Sequence, residues 1–137
     1  MSDPFTFHHV GLATRSLERE RAAHQRLGFV EEGPTFEDPR QKIRGQFLRN
    51  GGFRVELLEP LGEDSPLHDW LRRGQKMYHQ AFEVPRLEEA IAALRREGAL
   101  LAVPPCPAVA FGGRSIAFLL LRTELLVELI EAPAPAA

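Results

Sequence analysis

The stretch YHQAFEV, residues 78–84, decides how this chain folds, because FHHVGLA at 7–13 is its near twin. Each reads as a strand, and each carries a histidine where a buried strand normally carries an apolar side chain. Laid over one another, FHHVGLATRSLERERAAHQRLGF (7–29) and MYHQAFEVPRLEEAIAALRREGA (77–99) keep register without a gap. His79 falls on His9, Leu87 on Leu17, Glu88 on Glu18 and Gly98 on Gly28, all at one constant shift. Further on, RVELLEP (54–60) meets LVELIEAP (126–133), and Glu128 falls on Glu56 at a slightly longer shift. A repeat of this kind sets the architecture before any single element is considered.

Each half reads histidine strand, helix, glycine, then strands ending on a glutamate. In residues 5–13, Phe5, Phe7, His9 and Gly11 share one strand face, and His8 points to the other. Residues 17–27 are rich in Glu, Arg, Ala and Leu, good helix formers, with Ser16 as N-cap and Gly28 as the C-terminal stop. Strands are expected near 29–36, 44–49 and 53–59, with NGG at 50–52 as a hairpin turn. The second half predicts a strand at 78–84, a helix at 87–97, and strands near 99–103, 115–121 and 125–131. Between the halves, EDSPLHDWLRRGQ predicts a short helix from Ser65 to Arg73, with Trp70 as its packing anchor. The expected fold class is α+β, built from two tandem βαβββ modules. The chain is read as a single domain over 1–137, with module one at 5–60, a linker helix region at 61–76 and module two at 77–132.

Composition narrows the partners. The 137 residues suit one domain, and 44% hydrophobic with 26% charged is ordinary for a soluble globular chain. A net charge of −2 gives no reason to expect nucleic acid or an anionic membrane as partner. The sole cysteine, Cys106, cannot close an internal disulfide and reads as a spacer thiol, which fits a reducing, cytoplasmic location. MSDPFTFHH has neither the basic nor the apolar region of a leader peptide, and runs such as SIAFLLL are too short to span a bilayer. The tail APAPAA reads as a frayed end.

The repeat also concentrates chemistry. If the two modules are related by a pseudo-twofold axis, His9 meets His79 and Glu56 meets Glu128. Two imidazoles and two carboxylates brought to one cleft are costly to desolvate unless something neutralises them. A divalent cation does so, and mixed nitrogen and oxygen ligation suits zinc, nickel, cobalt, manganese or iron. Four protein ligands leave an octahedral ion two open positions, enough to chelate neighbouring substrate oxygens and stabilise a developing enolate. The bases available for proton transfer are Glu128 and Glu56, or an acid at 37–38. Arg40, Lys42, Arg44 and Arg114 are candidates for a substrate carboxylate or phosphate.

These residues resemble the vicinal-oxygen-chelate superfamily, which includes glyoxalase I, methylmalonyl-CoA epimerases, extradiol dioxygenases and bleomycin-resistance proteins. HHVGLATRSLE, VELLEPLGEDSPLHDWLRRG with YHQAFEV, and IAF with VELIE are most similar to the epimerases. The resemblance implies a glyoxalase-like fold, in which the two modules form a curved mixed-sheet cup, and a metal held by His9, Glu56, His79 and Glu128. It also implies a small-molecule substrate and a homodimer. The epimerases often carry glutamine where Glu56 stands, and glyoxalase I commonly carries glutamate. They place an acid just before a Gln-Gly-Val segment; in PRQKIRG, if Gln41 matches that glutamine, Arg40 stands in the acid's place. Their loop after the AFL strand is longer than AFLLLRTELLVELIE is here. The implied function is a metal-dependent isomerase or lyase acting through an enolate on a small carbonyl or acyl compound, like methylmalonyl-CoA epimerase. The alternatives are a glyoxalase-I-like lyase, a dioxygenase, and a non-catalytic small-molecule (antibiotic) binding protein. Arg40, Gln41, Arg44 and Arg114 are the substrate-binding candidates.

Overall fold

The computed structural model of the protein describes residues 5–133. The first four residues, with which the leader reading began, and the last four of the APAPAA tail lie outside the described residues. The chain is α+β and divides into two compact units. One is His9–Tyr78, and the other begins at His79 and includes, among the described residues, Phe5–His8.

In the first unit the elements are β1 (Thr6–Ala13, from His9 on), α1 (Leu17–Arg26), β2 (Val30–Glu31), β3 (Phe36–Asp38), β4 (Ile43–Asn50), β5 (Phe53–Pro60) and α2 (Leu67–Arg72). The strand order is β2-β4-β5-β1, with β3 also on β4. β1 runs parallel to β5, and β4 antiparallel to it. Alternation along β5 sorts its side chains. Val55 and Leu57 face α1, where they pack with Leu17 and Leu48. Leu58 faces the other way and packs with Ala13, Ile43 and Leu67 of α2, flanked by Trp70 and Tyr78. Trp70 is the anchor its sequence suggested, with its ring edge-on to Tyr78 at 5.0 Å.

The expected strand at 29–36 is two shorter ones. Gly33 stands at φ 115°, and Pro34 after it has no N–H to give a ladder, so the chain leaves β4 and rejoins it at Phe36. Lys42 turns the chain at φ 61° before β4.

The second unit contains β6 (Met77–Val84, from His79 on), α3 (Leu87–Arg96), β7 (Leu100–Pro107), a 3-10 turn at Val109–Phe111, β8 (Ser115–Leu120) and β9 (Leu126–Glu131). Its strand order is β6-β9-β8-β7, with β6 parallel to β9. Val84, Leu87, Ala90, Ile91, Ala117, Leu119, Val127 and Leu129 form the core beneath α3. β7 is longer than the expected 99–103. It stays extended through Pro104, Pro105 and Pro107 because it ends the strand order and two register shifts absorb the missing donors.

The two longer helices, α1 and α3, are each tied to the last strand of their own unit. The Leu17 N–H donates to Glu59 Oε1 at 2.9 Å, and the Leu87 N–H to Glu131 Oε2 at 3.3 Å. These glutamates repeat at the same shift as Glu56 and Glu128. Each satisfies an orphan donor and opposes the positive end of its helix. Ser16 caps α1 as expected, accepting from the Arg19 N–H; Arg86 before α3 makes no side-chain cap, so Glu131 serves there.

Candidate functional site

Strand register explains how a glutamate meets a histidine in the first unit. Gly11 lies opposite Glu56 across the parallel β1–β5 pair. His9 is two residues before Gly11, so it shares that face and is the diagonal neighbour of Glu56. Gly11 has no side chain, and the Glu56 carboxylate leans over it to bring Oε1 within 3.1 Å of His9 Nε2. On its other side Glu56 faces Phe47 of β4. The Phe47 ring stands edge-on to the imidazole, with centroids 5.0 Å apart and planes at 77°.

The second unit repeats this residue for residue. Ala81, also small and two residues after the histidine, lies opposite Glu128, and Phe118 faces Glu128 from β8. Glu128 Oε1 is 3.2 Å from His79 Nε2. Phe118 meets the His79 ring at 5.4 Å and 78°. All four polar residues are nearly inaccessible: His9 0%, Glu56 5%, His79 2% and Glu128 2% exposed. Burying a carboxylate this deeply is unfavourable unless a positive partner faces it, so each pair is a place for a proton or a metal ion. Imidazole nitrogen beside carboxylate oxygen is a donor set that fits a divalent metal of the zinc-to-manganese range.

The other candidates are placed differently. The Gln41 amide donates to Asp38 Oδ2 at 2.8 Å, and Asp38 also accepts from the Arg40 and Gln41 backbone N–H groups. Arg44 pairs with Glu59 at 3.3 Å. Arg114 pairs with Glu83 at 2.9 Å and also donates to the Glu131 carbonyl. The Arg40 side chain is exposed. Asp38 faces Ile43, four positions along β4 from Phe47, which puts it roughly 13 Å from the Glu56 row. An acid at 38 therefore serves its own turn. Lys42 bonds Asp64, and that hydrogen bond holds the exposed Asp64 carboxyl below the usual carboxylate range. His24 is half-buried: it pairs with Glu20 and lies edge-on to Phe29.

The sequence reading missed Phe47 and Phe118. The signal was present, because RGQFL and SIAFL align on their phenylalanines at a shift between that of the histidines and that of the glutamates.

The sequence profile of the glyoxalase/bleomycin resistance protein/dioxygenase superfamily matches residues 8–118. The chain belongs to this superfamily. Among its relatives, an uncharacterized Bacillus subtilis protein, YqjC, is 34% identical over 129 residues, covering 90% of this chain and 89% of that one. The mitochondrial methylmalonyl-CoA epimerase of Bos taurus is 31% identical over 91 residues, covering 65% of this chain and 52% of the bovine protein, about half its length. A solved structure of a Streptomyces coelicolor methylmalonyl-CoA epimerase variant in complex with 2-nitronate-propionyl-CoA is 25% identical. Its TM-score is 0.79, with 96% of this chain and 100% of that chain covered. Relatives in the superfamily thus include enzymes that act on acyl-CoA compounds. Among the described residues no helix is long and apolar enough to cross a membrane.

Proposed function

We propose that the chain is a divalent-metal-dependent isomerase of the vicinal-oxygen-chelate type, with His9, Glu56, His79 and Glu128 as the ligands of one ion. The observation that carries this reading is the same buried histidine–glutamate contact built twice, once per unit, at 3.1 and 3.2 Å. One pair offers two donors, which is too few for a four- or six-coordinate ion. Two pairs offer four and leave an octahedral ion open to substrate. The bound ion would supply Lewis acidity toward a carbonyl oxygen and stabilise negative charge developing there.

The chain's own residues do the rest. A carboxylate oxygen of Glu128 or Glu56 takes the proton next to the substrate carbonyl and returns it, a role worth a factor of about 10²–10⁴. The phenylalanine beside each pair keeps water from the imidazole. Arg40, exposed at its turn, is the first choice for the substrate's negative charge. Gln41, Arg44 and Arg114 join it by exchanging their present protein partners. The substrate is a small carbonyl or acyl compound, and the epimerase relatives make methylmalonyl-CoA the first to test. We further propose a cytoplasmic homodimer.

The test begins with metal content after incubation with zinc, nickel, cobalt or manganese and gel filtration. About one equivalent per chain is expected. Protein that holds none of these ions would sink the reading. With metal bound, methylmalonyl-CoA in D2O should exchange its α-proton. Metal binding without exchange would shift the substrate to a smaller 2-oxo or 2-hydroxy acid.

A further inference from the structure

Each phenylalanine sits on a strand that does not neighbour its histidine. The orders β4-β5-β1 and β8-β9-β6 put the glutamate strand between them. Strands two apart are separated by roughly 10 Å, yet the ring centroids are only 5.0 and 5.4 Å apart. In each unit the two rings therefore lean toward one another above the strand that carries the glutamate. The glutamate lies in the same cross-strand row as the phenylalanine, beneath that contact.

The surroundings of the two contacts differ while the contact itself does not. In the first unit Phe36 backs Phe47 at 6.0 Å and fills the space beside Gly45, where a Cβ would come within 2.9 Å of the Phe36 ring. In the second unit the residue two before Phe118 is the buried Ile116. The neighbours have diverged, but interplanar angles of 77° and 78° are kept. Edge-to-face geometry is the favoured arrangement of such rings. Edge-on ring pairs occur elsewhere in this chain, so what marks these two is that each joins strands two apart over a buried glutamate.

We propose that Phe47 and Phe118 are positioning residues, each holding the plane of one imidazole so that its Nε2 stays aimed at the neighbouring glutamate carboxylate. The consequence for metal affinity rests on the function proposed above; the restraint on the rings does not. Supports of this kind change metal affinity when removed because the ligand must then be ordered at the moment of binding.

The test compares wild type with Phe47→Met and Phe118→Met, which keep a large apolar side chain and lose the ring. Histidine side chains are labelled with 15N and 13C and followed by NMR in the metal-free protein. Each variant should broaden or double the resonances of its own histidine and leave the other unchanged. Cobalt(II) titration should show about tenfold weaker binding and an altered visible spectrum in each variant. Phe47→Tyr and Phe118→Tyr keep the ring and should restore single histidine resonances. Sharp, single resonances in both methionine variants would overturn the proposal, whatever happens to thermal stability. If wild type takes up no cobalt, the metal reading falls and the NMR comparison still decides the positioning claim.

Discussion

Glutamine at 56 and at 128 separates charge from shape, because the amide keeps an oxygen donor and gives up the base. The epimerases resembled by this chain often carry glutamine at the first of these positions. Glu56→Gln is therefore expected to keep metal binding and substrate deuterium exchange within about tenfold of wild type. Glu128→Gln is expected to lose exchange by about 10²-fold or more, the share of a general base. Metal titration and exchange by mass spectrometry, run side by side, check both. Equal losses in the two variants would assign the proton transfer to neither carboxylate alone. His79→Ala and Glu128→Ala should each bring bound metal well below that of wild type, read by elemental analysis. At this scale the polar half of each pair was legible, because a histidine or glutamate repeated at a fixed interval in a strand stands out from its apolar neighbours. Phe47 and Phe118 repeat as well, but their role was not legible, because an aromatic residue in a strand looks the same whether it fills a core or braces a ligand.

Elements show a second duplicated device, the strand glutamate that caps a helix. Glu59→Gln and Glu131→Gln should each destabilise the protein by about 1 kcal/mol, the usual worth of a cap or of a hydrogen bond to a charged group. At this chain length that lowers Tm by roughly 3–4 °C. The two sites lie in separate units, so the double variant should lose the sum. Thermal melts followed by circular dichroism measure all three, and a clear excess in the double variant would mean the caps are coupled. Gly45→Ala should cost about 1–3 kcal/mol, because the new methyl meets Phe36 and the Leu57 carbonyl, which lies within 3.1 Å. Helix boundaries were readable from Ser16, Gly28 and Gly98. The break between β2 and β3 was less so, since Gly33-Pro34 looks like ordinary loop chemistry until the partner strand is known. The run of β7 through three prolines defied local propensity, because being at the end of the strand order is a property of topology.

For the whole molecule, metal should act as a ligand of the folded state. At a free concentration about a hundred times Kd, a bound ion stabilises by about 2.7 kcal/mol, or roughly 9 °C in Tm for this chain. Differential scanning calorimetry with and without chelator checks this. An unmoved Tm would mean that the ion prefers neither state. The repeat shift, which lengthens from histidine to phenylalanine and again from phenylalanine to glutamate, has its own use. Asn50 and Phe53 close β4 to β5 through the two residues Gly51 and Gly52. In the second unit the Leu121 N–H bonds the Leu125 carbonyl around Arg122, Thr123 and Glu124, with Glu124 at φ 72°. A three-residue tip thus replaces a two-residue one, and Glu128 still reaches its histidine. That hairpin end has already swallowed one extra amino acid, so it is the natural graft point for a peptide tag or a fluorophore.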